Sequence, residues 1–79
     1  MMNQRYRKTM IELADREIAN GGRWIEIRLK KTNEVVRVVR RGYGPMQYPH
    51  NDNHDIKIDG EVVAQCEDLY KVAEWLCNR

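Results

Sequence analysis

Arg23-Trp24-Ile25-Glu26-Ile27-Arg28-Leu29-Lys30, followed after Lys31-Thr32-Asn33-Glu34 by Val35-Val36-Arg37-Val38-Val39-Arg40-Arg41, decides the fold. In the first run Ile25, Ile27 and Leu29 alternate with Trp24, Glu26, Arg28 and Lys30. A period of two belongs to an extended strand, whose successive side chains leave on opposite faces, so this strand has one apolar and one charged face. The turn formers Thr32-Asn33 predict that the second run folds back as the antiparallel partner. An even loop centred on them pairs Leu29 with Val36 and Ile27 with Val38, which keeps one face apolar. An odd loop sets Arg37 against Leu29 and spoils that face. In the even register Trp24 lies across from Arg41, within reach of a cation–π contact. Arg28 lies across from Arg37, a like-charge pair that folding alone does not favour.

Working outward, residues 3–20 read as a helix. Tyr6, Met10, Leu13 and Ile18, with Ile11 and Ala14 beside them, form an apolar stripe at three- and four-residue spacing. Asn3 is the expected cap, and Asn20-Gly21-Gly22 the expected stop. Beyond the hairpin, residues 42–54 carry Pro45, Pro49 and several turn formers, so a long loop is expected. His54-Asp55-Ile56-Lys57-Ile58 then reads as a short strand, Asp59-Gly60 as a two-residue turn and Glu61-Val62-Val63-Ala64 as the return. From about Glu67, the spacing of Leu69, Val72, Ala73 and Leu76 is helical, with Glu67 and Asp68 expected in the first turn, where the helix dipole favours acid. The expectation is one α+β domain over residues 1–79: a helix, a three- to four-stranded antiparallel sheet and a helix, with both helices on one sheet face.

Composition narrows the function classes. The chain has 79 residues, 42% hydrophobic and 33% charged, with no Phe. A core of that size leaves little room for a buried reaction pocket, so no enzyme is expected. Met1-Met2-Asn3-Gln4-Arg5 has no apolar run behind it and no later segment is long enough to span a membrane, so a cytoplasmic protein is expected. Cys66 and Cys77 read as members of one helix, where about 1.5 Å of rise per residue would separate their Cα atoms by roughly 16 Å, too far for a disulfide. Both are expected to be reduced thiols, with no metal or cofactor.

The net charge of +2 conceals an asymmetry. Residues 21–44 hold seven basic and two acidic side chains, residues 45–79 three basic and seven acidic. Trp24, Val35 and Val39 share the outward hairpin face with Arg28, Arg37 and Arg41. Trp and Arg around an apolar centre is the composition of protein-interface hot spots, and equally that of a phosphate-contacting surface with a stacking platform. The expected contacts are therefore Trp24, Arg28, Arg37, Val39 and Arg41, joined by Tyr43 and Tyr48 from the long loop. Glu67, Asp68 and Glu74 form a second candidate face, able to imitate phosphate charge toward a basic nucleic-acid channel. Val35–Val39 is apolar on both faces, which makes a homodimer a further option.

Other chemistry is less well supported. His50-Asn51-Asp52-Asn53-His54-Asp55 gathers imidazoles and carboxylates, but at no established metal spacing. A small metal-dependent enzyme using His50 and His54 ranks third among the functional readings. Arg41-Gly42-Tyr43-Gly44 opens like the RNP motif of RNA-recognition domains until Pro45 breaks it. The helix–strands–helix order is that of double-stranded-RNA-binding domains, yet Glu67 and Asp68 stand where those domains carry lysines.

In size, split charge, element order over the whole chain and lack of a catalytic signature, the sequence resembles small phage-encoded anti-defence proteins such as the anti-CRISPRs. The resemblance implies a stoichiometric inhibitor that occludes a host nuclease complex, and it assigns no individual residue. The leading expectation is a non-catalytic protein-binding inhibitor or adaptor of phage or mobile-element type, with a host nucleoprotein complex as one candidate partner. The alternative is direct nucleic-acid binding through the 23–41 hairpin.

Overall fold

The computed structural model describes residues 3–41 and 54–79. The predicted loop, with Tyr43, Tyr48 and His50, lies outside the described residues except for its last member, His54. Two helices and four strands follow in the order α1 (Gln4–Ala19), β1 (Trp24–Arg28), β2 (Val35–Arg40), β3 (His54–Ile58), β4 (Glu61–Cys66) and α2 (Leu69–Cys77). The strands form one antiparallel sheet in the sequential order β1-β2-β3-β4.

Local chemistry sets the element ends. Asn3 Oδ1 accepts from the backbone N–H of Arg5 and Tyr6, satisfying donors that the first turn of α1 leaves open. Gly21 and Gly22, at φ +81° and +76°, take the chain out of the helix in a conformation that costs glycine little. Asp59 and Gly60 both have positive φ, as a tight two-residue hairpin requires. Asp68 caps α2 with its carboxylate, which accepts from Lys71 N–H, so α2 begins at Leu69 and Asp68 precedes the first turn.

The inward sheet face carries Ile25, Val36, Val38 and Ile56, which form one buried core with Leu13 of α1 and Val72 and Ala73 of α2. Both helices thus contribute to the core on that face, as expected for a two-layer fold. The helices are also joined directly. Tyr6 and Tyr70 meet edge to face at 6.0 Å, Asn3 N–H donates to Tyr70 Oη, and Asn78 Nδ2–H donates to Tyr6 Oη.

Five expectations need correction. Glu67 and Asp68 precede α2 rather than lying in its first turn. The hairpin loop is even, but it spans Lys30–Asn33, closed by Leu29 N–H donating to Glu34 O and Asn33 N–H to Leu29 O. Asn33, at φ +62°, accepts the left-handed conformation that ends this loop. The register therefore sits two residues from the expected one: Trp24 opposes Val39, Glu26 opposes Arg37, and Arg28 opposes Val35. A two-residue shift preserves which residues share a face but changes every cross-strand partner. Arg28 and Arg37 are not opposed, nor are Trp24 and Arg41.

In α1, Ile11 and Ile18 are exposed, Ile18 by 75%. The inward stripe runs Tyr6, Met10, Leu13 and Glu17, and Glu17 is buried in its last place. Cys66 ends β4 rather than lying in α2, so the helical spacing argument does not apply to Cys66 and Cys77; both thiols are free. Finally, β4 runs two residues beyond Ala64, to Cys66.

Candidate functional site

The outward sheet face can be read row by row from the register. One row crosses the sheet as Trp24, Val39, Asp55 and Gln65; the next as Glu26, Arg37, Lys57 and Val62. Arg28 and Val35 begin a third row at the hairpin end. Three of the expected contacts, Trp24, Arg37 and Val39, meet at the centre of the β1–β2 half. Arg37 is diagonal to Trp24, and its guanidinium lies over the indole at 4.3 Å from the ring centroid. Cross-strand geometry puts diagonal neighbours within reach of long and aromatic side chains. Trp24 finds the cation–π partner expected of it, but in Arg37 rather than Arg41.

The charges on this face are largely matched. Glu26 stands opposite Arg37. Arg41 Nε pairs with Asp55 Oδ1 at 3.2 Å, and Gln65 Nε2–H donates to the same oxygen. Arg28 Nη1–H donates to Asn33 Oδ1 at the hairpin loop. Asp59 lies in the shallow depression that Glu26, Val35, Arg37 and Lys57 also line. Strand β3, to which the sequence assigned no part in the site, thus supplies Lys57 and Asp55 to the basic hairpin, and the turn after it supplies Asp59. The alternation of Ile56 and Ile58 with Asp55 and Lys57 carried that information, because the apolar pair turns inward and sends its neighbours outward.

One helical residue and two strand termini form a different cluster on the inward side. Glu17 Oε2 accepts from His54 Nε2–H at 2.8 Å, and Arg40 Nη1 lies 3.8 Å from Glu17 Oε1. His54 is only 3% exposed, and its Nδ1 has no hydrogen-bond partner among the described residues. This histidine, a candidate ligand or acid–base group by sequence, is held as a structural partner of a buried carboxylate. Among the described residues, no group of three or more His, Cys, Asp or Glu side chains is arranged to hold a metal ion.

The second candidate face is partly dispersed. Asp68 is engaged as the cap of α2, while Glu67 and Glu74 line a groove between β4 and α2 with Cys66, Lys71 and Trp75. Burial pushes the Cys66 thiol above its ordinary value, and the nearby Asp68 and Glu74 carboxylates push it further. Arg79 crosses the groove end: its guanidinium lies 5.1 Å from the Trp75 ring centroid and makes a two-pronged contact with Glu34.

Over the described residues, fold and site define a two-helix, four-stranded antiparallel α+β protein with a Trp–Arg stack on its outward sheet face. The chain matches no family model, and no curated protein or solved structure matches it. Among the described residues, no helix is long and apolar enough to cross a membrane.

Proposed function

We propose that the chain is a non-catalytic protein-binding module whose contact surface is the outward face of β1 and β2. The observation that carries this reading is the Trp24–Arg37 stack, set beside Val35 and Val39 on the open sheet face. An aromatic ring held in place by a guanidinium presents a large contact area at little further entropic cost, as interface anchors do. Val35 and Val39 supply apolar surface around it, and the matched charges form a polar rim that favours a partner of complementary pattern.

The alternative, nucleic-acid binding, draws support from Arg28, Arg37, Arg41 and Lys57 on the same face as an aromatic ring. Against it stand Glu26, Asp55 and Asp59, which offset those cations on the very surface where phosphates would sit. The protein-binding reading is therefore preferred. The resemblance to phage anti-defence proteins suggests the first partner class to try, a host nuclease complex, with this chain acting as a stoichiometric inhibitor.

The test is affinity capture from host extract with the wild type and with Trp24→Ala and Arg37→Glu. The reading expects one protein set to be lost in both variants while circular dichroism stays native. Capture that survives both substitutions would place the contact elsewhere. Nucleic acid retained by the wild type, with affinity falling steeply as salt rises, would favour the alternative.

A further inference from the structure

The two edges of the sheet are built differently. On β1, Asn20 Nδ2–H donates to the Trp24 carbonyl, and Glu26 and Arg28 put charge along the strand. Both devices discourage another strand from pairing there. On β4, charge is confined to Glu61 at its first position, and Val62 and Val63 are 48% and 46% exposed. The pairing of β3 with β4 shifts register between Ile56 and Lys57, which leaves Val63 as the extra residue of a bulge. Next to this edge lies the groove against α2, of about 770 Å³, with Ala64, Cys66 and Trp75 among its lining residues.

An open strand edge alongside a helix-walled groove is the arrangement by which extended peptides add to a sheet: main-chain bonds give affinity and the groove takes alternate side chains. Charge identifies the kind of peptide. Glu67 and Glu74 line the groove with Lys71, while Arg79 is engaged by Glu34 and Asp68 adds a further carboxylate at the start of α2. Burial raises the Cys66 thiol most, Asp68 and Glu74 raise it further, and Lys71 opposes them. A lysine or arginine turned into this groove would lay its aliphatic stem along Trp75 and bring its charge to Glu74 or Glu67.

We infer that the β4 edge accepts an extended, basic segment of a partner protein as a fifth strand, with alternate side chains in the β4–α2 groove. The inference rests on the protein-binding reading above and adds a second contact, separate from the Trp24–Arg37 face.

The probe is a short capped peptide alternating lysine with valine, with a counterpart in which glutamate replaces lysine. Each is titrated to millimolar concentration into the full chain and followed by amide and indole NMR shifts. The lysine peptide is expected to give saturable shifts at Val62–Cys66 and at the Trp75 indole, and the glutamate peptide none. Glu74→Lys, on a half-buried helical position, should weaken binding by about tenfold, the effect of losing roughly 1.4 kcal/mol. Gln65→Pro, which removes a backbone donor that points to the free edge rather than to β3, should abolish it. If that variant fails to fold, Glu74→Lys alone decides.

Trp24→Ala should bind the peptide like the wild type, so failure here and failure of the sheet-face reading are separable. Absent shifts, equal binding of both peptides, or shifts centred on Trp24 would overturn the inference. So would concentration-dependent self-association with β4 amides protected in the absence of peptide, which would make a second copy of the chain the occupant.

Discussion

Glu17 and His54, distant in sequence, meet through a 2.8 Å bond between Oε2 and Nε2 in the interior. A carboxylate accepts and cannot donate, so the bond requires a proton on Nε2. The other carboxylate oxygen faces Arg40, and the three residues tie α1 to the middle of the sheet. Removing one member of a buried pair leaves the other without compensation, at a cost of about 3 kcal/mol. Glu17→Ala should therefore lower the thermal midpoint by roughly 15 °C, given ~4–8 °C per kcal/mol for a domain of this size. A double-mutant cycle with His54→Ala should return a coupling above about 1 kcal/mol. Additive losses would mean that the contact contributes nothing of its own.

The hairpin register makes a separate prediction. Because Glu26 opposes Arg37, Glu26→Lys should destabilise by about 0.5 kcal/mol and Glu26→Lys combined with Arg37→Glu should recover it. Urea midpoints measure both. If Arg28→Glu stabilised the fold by pairing with Arg37, while Glu26→Lys had no effect, the register would instead be the one with Arg28 opposite Arg37.

That contrast shows what could be read from the residues alone. Asn3, Asn20-Gly21-Gly22 and Asp59-Gly60 act locally, through backbone conformation and capping, and they placed element ends within a residue or two. The faces of β1 and β2 were legible because alternation fixes parity. Absolute register was not, since loops centred on Lys31-Thr32 or on Thr32-Asn33 give the same parity; the left-handed Asn33 decides between them. Glu17 was illegible for a different reason. The stripe Tyr6, Met10, Leu13 points to position 17, but a glutamate there is ordinarily solvated, and the His54 that makes its burial tolerable lies far along the chain. The Trp24–Arg37 stack follows from register and was missed with it.

Glu34 offers a pH test at the surface. The Arg79 guanidinium, and after it the Thr32 hydroxyl, hold its carboxyl below the ordinary value. A depressed carboxylate contributes stability above its unfolded value, and that contribution is lost as pH falls through the folded one. Carboxyl NMR titration should give Glu34 a midpoint below the ordinary glutamate value of 4.5, moving back toward it in Arg79→Ala. An unchanged midpoint in that variant would mean that Arg79 does not hold the carboxylate in solution.

Cys66 gives the opposite sign. Its thiol is raised from 9.0 by burial, then by Asp68 and Glu74. The folded state holds this proton more tightly than the unfolded chain, so stability from this group is full below the unfolded value and declines as pH rises toward the folded one. In Cys77→Ser, alkylation at Cys66 should keep accelerating above pH 9, and Glu74→Gln should shift that profile downward. A profile that levels off at the ordinary thiol value would contradict the burial of Cys66.

Site-specific photo-cross-linking in living cells reports whether the outward face of β1 and β2 is a contact surface. A photoreactive side chain at exposed Val35 reports on that face, and one at Lys8, exposed on α1, serves as the control. A discrete cross-linked protein is expected from position 35, absent from position 8 and lost when Arg37→Glu is added. Cross-links from position 8 alone, or nucleic acid rather than protein at position 35, would contradict it.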